Sequence, residues 1–162
     1  GLKVLVERIE TDYLVLFGSS FGAFIALWLT ILFPKRVKKL ILMAPALKFS
    51  AKSIISILDV SESEWQSREK IFIEHYRFNK IPLKYSFFED LKTKSPPNFY
   101  KINLNIPTLI LHGRNDDVCP VEWSQKYAER NPHVELHILD SDHQLLNQKE
   151  KIWKIMSKFL EI

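Results

Sequence analysis

The chain has 162 residues, 46% hydrophobic and 26% charged, with a net charge of +4. That balance suits one folded domain with a real core and excludes wholesale disorder. The charge is spread out, and its densest cluster, Lys35-Arg36-x-Lys38-Lys39, falls where a helix ends. It is therefore read as structural, through the helix dipole, and no nucleic-acid partner is expected. The single Cys119 excludes an internal disulfide and fits a reducing, cytoplasmic setting. Gly1-Leu2-Lys3-Val4 lacks the form of a signal peptide. The longest apolar run, Phe21 to Phe33, is shorter than the ~20 residues of a membrane span.

In chain order, Leu2, Leu5, Val6 and Ile9 recur at helical spacing and predict a short amphipathic helix. Thr11-Asp12 breaks it. Tyr13 to Phe17 has no polar alternation and reads as a strand buried on both faces. Phe21 to Phe33 is apolar all round, a buried helix closed by Pro34. Val37 to Met43 is a second strand. A helix between two strands with no hairpin signal implies a right-handed βαβ unit and a parallel sheet.

The pattern changes over 48–105. Ile54, Ile55 and Leu58 predict one short helix. Trp65, Phe72 and Tyr76 fall near the stripe of a second, and Ile81-Pro82-Leu83 and Ser95-Pro96-Pro97-Asn98 punctuate the rest of the segment. Aromatic residues crowd the stretch from Trp65 to Tyr100, so the segment is expected to cover something apolar, as a helical lid inserted in the domain. Beyond it, Pro107 to His112 is a third strand and Val134 to Leu139 a fourth. A helix begins near Pro120 and runs to about Arg130. In the last helix, Leu145, Leu146, Ile152, Trp153, Met156, Phe159 and Leu160 trace one face, with Lys149 as its polar member. The expected architecture is a single α/β domain, a parallel sheet with helices on both faces.

Between the first strand and its helix stands Gly18-Ser19-Ser20-Phe21-Gly22. The letters G-x-S-x-G at a strand-to-helix turn are those of a nucleophile elbow, whose serine sits at the strained apex. Glycines there let strand and helix pass closely. A plain Gly/Ser turn has the same composition, so the position between strand and helix carries the reading. Ligands of such sheets lie beyond the carboxyl ends of the strands. Ser20 follows the first strand, Asp116 and Asp117 the third, and Asp142 and His143 the fourth, so the three loops open on one edge.

Taken together, Gly18-Ser19-Ser20-Phe21-Gly22, His112-Gly113-Arg114-Asn115-Asp116-Asp117-Val118-Cys119-Pro120 and Asp142-His143 resemble the α/β-hydrolase superfamily, and most of all its small bacterial esterase-like serine hydrolases. The resemblance runs from Asp12 to the end and is least specific over 48–105. It implies that Ser20 is the nucleophile, that His143 is its general base and later acid, and that the acid loop's aspartate three after the glycine, Asp116, orients the imidazole. Asp117 is the competing acid. The Phe21 backbone N–H is expected to donate to the developing oxyanion.

The implied reaction is cleavage of a small carboxylic ester, thioester or amide through an acyl-enzyme, with no cofactor and no metal. The aromatic lid suggests a small-molecule acyl substrate with an apolar portion. Two other readings compete: a fold retained for binding without catalysis, and a serine peptidase for small peptides. His112 with Asp116 and His143 imitates a metal set, but the serine elbow leaves a metal nothing to explain. His75, His133 and His137 are read as surface or partly buried groups, and Cys119 as inert packing.

The sequence departs from the family pattern ahead of the elbow, where family members carry several strands and an oxyanion-loop H-G motif. Here one helix and one strand precede Gly18. The second oxyanion donor is therefore expected outside these residues, and the elbow strand is expected at an apolar sheet edge. That edge implies either preceding strands of a longer protein or a second copy covering it as a homo-oligomer.

Overall fold

Four parallel strands carry the fold, in the spatial order β1 (Leu14–Ser19), β2 (Val37–Met43), β5 (Thr108–Gly113) and β6 (Val134–Leu139). The computed structural model describes residues 2–75, 79–94, 99 and 102–162. They form two compact units, residues 1–47 with 98–162, and residues 48–97.

In the first unit, α1 (Leu2–Arg8) packs Val6 against Leu14 and Val37. The elbow helix α2 (Phe21–Leu32) joins β1 to β2, α6 (Val121–Arg130) joins β5 to β6, and α7 (Lys149–Leu160) closes the chain after one 3-10 turn, Leu146–Gln148. Helices cover both faces. Leu14, Leu16 and Val37 meet Leu29 and Phe33 of α2 and its exit. Ile41, Leu109, Leu111 and Leu139 point the other way and meet Ile152, Met156 and Phe159 of α7. Strand β5 is buried along its whole length, as a central parallel strand must be.

Three expectations about burial change. Strand β1 is not buried on both faces. Leu14 and Gly18 are buried, but Val15 and Phe17 are 51% and 55% exposed. The register explains this: Phe17 lies beside Ile41 and shares its face, and α7 covers Ile41 while β1 stands at the sheet edge. Helix α2 is not buried all round, since Phe21 and Leu32 are exposed. In α7, Ile152 is buried but Trp153 is 62% exposed, because the face packed on the sheet runs through Ile152, Ile155, Met156, Phe159 and Leu160 and leaves Trp153 outside it.

The basic cluster is structural, though by a different route from the dipole of the helix before it. Arg36 donates to the carbonyls of Val6 (2.7 Å), Ile9 (2.6 Å) and Thr11 (3.0 Å), tying down the chain after α1. Lys39 donates to Phe159 O at the end of α7 (2.8 Å). Both satisfy carbonyls that a helix terminus leaves unpaired.

The second unit is not purely helical. Helices α3 (Ala51–Leu58), α4 (Glu62–Arg68) and α5 (Tyr85–Lys94) accompany an antiparallel hairpin of β3 (Lys70–His75) and β4 (Asn79–Lys84). Phe72 therefore belongs to a strand, opposite Pro82; Tyr76 lies outside the described residues. The run Ile71-Phe72-Ile73 favours a strand, and each strand of a two-stranded sheet is an edge, where proline is tolerated. Both leading helices are capped by serine: Ser50 accepts from Ser53 N (3.1 Å) and Ser61 from Glu64 N (3.2 Å). Trp65 and Phe88 are buried with Ile54, Val60 and Leu91. Trp65 Nε1 also donates to Leu83 O (3.1 Å). These aromatics build the unit's own core.

Candidate active site

Ser20 has the backbone that an elbow demands. Its φ of 52° and ψ of −117° lie where side-chain-bearing residues rarely go. The turn is fastened on both sides: Ser20 N donates to Met43 O (2.9 Å), and Ala46 N donates to Ser20 O (3.2 Å). Gly18 permits it. A Cβ at residue 18 would stand 2.6 Å from Ala23 N and closer still to Gly22 O, so only glycine lets β1 and α2 cross there. Gly22 differs from the expectation, because a Cβ on it meets nothing within 4 Å. Phe21 directly follows the serine and opens α2.

The other two loops are locked to each other. Arg114 N donates to Leu139 O (2.8 Å) and Asn115 N to Ser141 O (3.0 Å). Gly113 makes the approach sterically allowed, since a Cβ there would lie 2.9 Å from the Asp142 carbonyl carbon and nearer to its oxygen. Within the fourth-strand loop, Asp142 Oδ1 accepts from Gln144 N (2.9 Å) and Leu145 N (3.2 Å), an Asx turn that presents His143. Ser141 is anchored by a hydrogen bond from its hydroxyl to Asn147 Oδ1.

These loops bring three side chains into one hydrogen-bonded line. His143 Nε2 lies 3.0 Å from Ser20 Oγ, and His143 Nδ1 lies 2.8 Å from Asp116 Oδ2. A carboxylate only accepts, so Nδ1 carries the proton and Nε2 is left to accept from the serine hydroxyl. The Asp116 side chain has no solvent exposure, while that of His143 is 19% exposed. Asp116 Oδ1 also accepts from Val118 N (2.9 Å) and Cys119 N (2.7 Å). Asp117 is exposed. Asp116 is thus the carboxylate that meets His143, and its Asx contacts hold the loop at the same time.

Sequence reasoning missed the surroundings of Asp116. His112 is fully buried, with Nε2 3.1 Å from Asp116 Oδ2 and 2.7 Å from Cys119 O, and Nδ1 2.7 Å from Ser124 Oγ. Burial holds its pKa below the ordinary histidine value. The signal that points to it is position: His112 is a histidine near the end of a strand buried along its whole length, just before Gly113. Burial, with the charge of Asp116, pushes the Cys119 thiol up to about 12. His137 pairs with Glu135 (2.6 Å) and His133 is exposed, both away from the strand ends that carry the three loops. The His75 side chain lies outside the described residues. Among the described residues, no group of three or more His, Cys, Asp or Glu is placed to hold a metal ion.

A cleft of about 360 Å³ opens beside His143, lined by Asn115, Asp117, Val118, Asp142 and Gln144. A larger hollow of about 780 Å³ lies in the second unit, between Ile57–Val60 and the strand Lys70–Glu74. It contains none of the three aligned side chains, so volume alone does not locate the chemistry. Among the described residues, no helix is long and apolar enough to cross a membrane.

A parallel sheet whose strand ends carry an elbow serine, a loop aspartate and a loop histidine, in that chain order, is the α/β-hydrolase fold. The mouse α/β-hydrolase domain-containing protein 10 superposes with a TM-score of 0.72 at 19% identity, covering 99% of this chain and 66% of that one. The chain belongs to the uncharacterised protein family UPF0227, whose model matches residues 1–160. It is also 28% identical over 151 residues to the putative esterase/lipase 2 of Mycoplasma genitalium, which covers 81% of this chain and 56% of that protein. With the uncharacterized peptidase YuxL of Bacillus subtilis it shares 29% identity over 122 residues, 74% of this chain and 16% of that protein. The chain therefore spans less than two thirds of the length of the curated relatives it matches.

Proposed function

We propose that this chain is the catalytic part of a serine hydrolase that cleaves a small carboxylic ester, thioester or amide through an acyl-enzyme on Ser20. One observation carries the reading: the unbroken line from Ser20 Oγ through His143 to Asp116, drawn from three separate loops. The esterase/lipase relative supports the substrate class. Val118 on the cleft wall gives an apolar acyl portion a surface to lie against.

In the reaction, Ser20 Oγ attacks the carbonyl carbon as its proton passes to His143 Nε2. The imidazolium formed is stabilised by Asp116, and the Phe21 N–H at the start of α2 donates to the oxyanion. Collapse expels the alcohol, thiol or amine, which takes the proton from Nε2. Water then repeats the sequence and releases the acid. Residues 48–105 act as the lid that sets acyl-group preference, and the enzyme works in the cytoplasm.

The test is labelling of the chain by a fluorophosphonate probe, with turnover of short p-nitrophenyl esters. Labelling and turnover that both vanish in Ser20→Ala are expected, and a full-length wild-type protein that takes up no probe overturns the reading. A peptidase reading is favoured only by the likeness to YuxL. Cleavage of short peptides faster than of any ester would prefer it.

A further inference from the structure

We infer that His112, fixed by Ser124, is a positioning residue that holds the Asp116 carboxylate square to His143. The inference rests on the acyl-transfer reading for its kinetic consequences but not for its geometry.

The hydrogen-bond partners determine the state of the ring. His112 Nε2 faces two acceptors, Cys119 O at 2.7 Å and Asp116 Oδ2 at 3.1 Å. It must therefore carry a proton. Nδ1 faces the Ser124 hydroxyl at 2.7 Å. Ser124 is fully buried on α6, and its proton has a use only if Nδ1 is bare. The ring is thus a neutral imidazole in one tautomer, as its burial independently favours. The Nε2 proton is bonded to Cys119 O, and the polar N–H edge lies 3.1 Å from Asp116 Oδ2 without adding a competing full charge.

Asp116 needs that support. Its Oδ1 is held by the backbone of Val118 and Cys119, which fixes one oxygen but leaves the carboxylate free to swing about it. Oδ2 is the closer of the two to His143 Nδ1, 2.8 Å against 3.0 Å, and His112 Nε2 lies against the same oxygen at 3.1 Å. His112 therefore fixes the oxygen that orients the base. The line from Ser20 continues through His143 and Asp116 to His112 and Ser124. It ties the elbow to α6, the helix between the two strands that bear the acid and the base. A neutral histidine that only packed between β5 and α6 would require none of the Asp116 contact.

The experiment compares wild type, His112→Phe and His112→Gln. Phenylalanine keeps the ring's shape and removes the donor; glutamine returns an N–H at about the same reach. The chain is labelled with 15N-histidine, and the His143 Nδ1–H proton signal is assigned by its loss in His143→Ala. That signal should be sharp and far downfield in wild type, broadened or lost to exchange in His112→Phe, and recovered in His112→Gln. In ester hydrolysis, kcat per fluorophosphonate-titrated site should fall about tenfold or more in His112→Phe with little change in KM, and return in His112→Gln, since small misplacements of a base are costly. A purely structural role would instead reduce the number of titrated sites and leave kcat per site unchanged.

If His112→Phe does not fold, Ser124→Ala keeps the ring and frees its tautomer, and should broaden the same signal more weakly. An unchanged His143 signal in the folded variants overturns the inference, as does a loss that His112→Gln fails to reverse. A full-length wild-type protein that takes up no probe defeats the hydrolase reading alone, because the proton signal still decides the role of His112.

Discussion

His143 Nδ1 stands 2.8 and 3.0 Å from the two carboxylate oxygens of Asp116, whereas Asp117, the next residue, faces solvent. The two aspartates compete in the sequence and separate in space because Asp116 turns inward to cap the backbone of Val118 and Cys119. Asp116→Asn keeps the shape but presents an amide that favours the wrong imidazole tautomer. It should lower kcat by about 10³–10⁴-fold. Asp117→Asn should leave kcat within about twofold, a charge on the cleft rim having little effect on the chemical step. Parallel p-nitrophenyl ester kinetics of the two variants check this, and equal losses would refute the assignment.

Ser20 combines chemistry with strain. At φ 52° a side chain is disfavoured, so Ser20→Gly should raise the midpoint of thermal unfolding, by roughly 1 kcal/mol of relieved strain, while abolishing turnover. Ser20→Ala removes the hydroxyl but keeps the Cβ, so it should lose the activity without that gain. Calorimetry on the three chains separates the two effects. An alanine variant as stabilised as the glycine one would show that the backbone is not what matters.

Much of this arrangement is legible in the letters because its causes are local. Gly18 and Gly113 are demanded by close backbone approach, and the alternation of apolar strands with helices specifies a parallel sheet. The features that are not legible depend on neighbours far away in the chain. Val15 and Phe17 look like core residues; they are exposed because α7 covers Ile41 and Leu109 but leaves β1 at the edge. Trp153 fits the helical stripe as well as Ile155 does, and only the packing of α7 on the sheet decides that Ile155 takes the inner place. The hairpin of β3 and β4 is hidden by Pro82, which reads as a breaker and is tolerated where every strand is an edge. His112 is hidden for a related reason. Its partner Ser124 sits on the following helix, and nothing in a serine's letter says which way it points.

The two elbow glycines should respond to alanine in opposite directions. At Gly18 a methyl collides with the backbone of Gly22 and Ala23, which cannot move without dislodging the helix, so Gly18→Ala should destabilise by at least ~2 kcal/mol and lose activity. At Gly22 the methyl meets open space inside a helix, where alanine is the better helix former. Gly22→Ala should therefore stabilise by about 0.5–1 kcal/mol. Urea melts of the two variants decide the matter, and a destabilising Gly22→Ala would mean that something outside these residues approaches that face.

Acid should destabilise the fold through His112. Burial lowers the pKa of His112 in the folded chain below its unfolded value near 6.5, so the unfolded chain binds the extra proton first. Stability rises with pH wherever the unfolded state holds more protons. The contribution is therefore fully present above about pH 6.5, and it is lost as the pH falls from there toward the folded value. His112→Gln cannot titrate, and it should flatten this limb of the stability curve while keeping an N–H beside Asp116. Urea midpoints of wild type and His112→Gln at steps from pH 7.5 to pH 5 give the slope directly. Equal slopes over that window would mean that the buried ring takes up its proton without loss, and that the neutral tautomer inferred from Ser124 and Cys119 is not the one the fold protects.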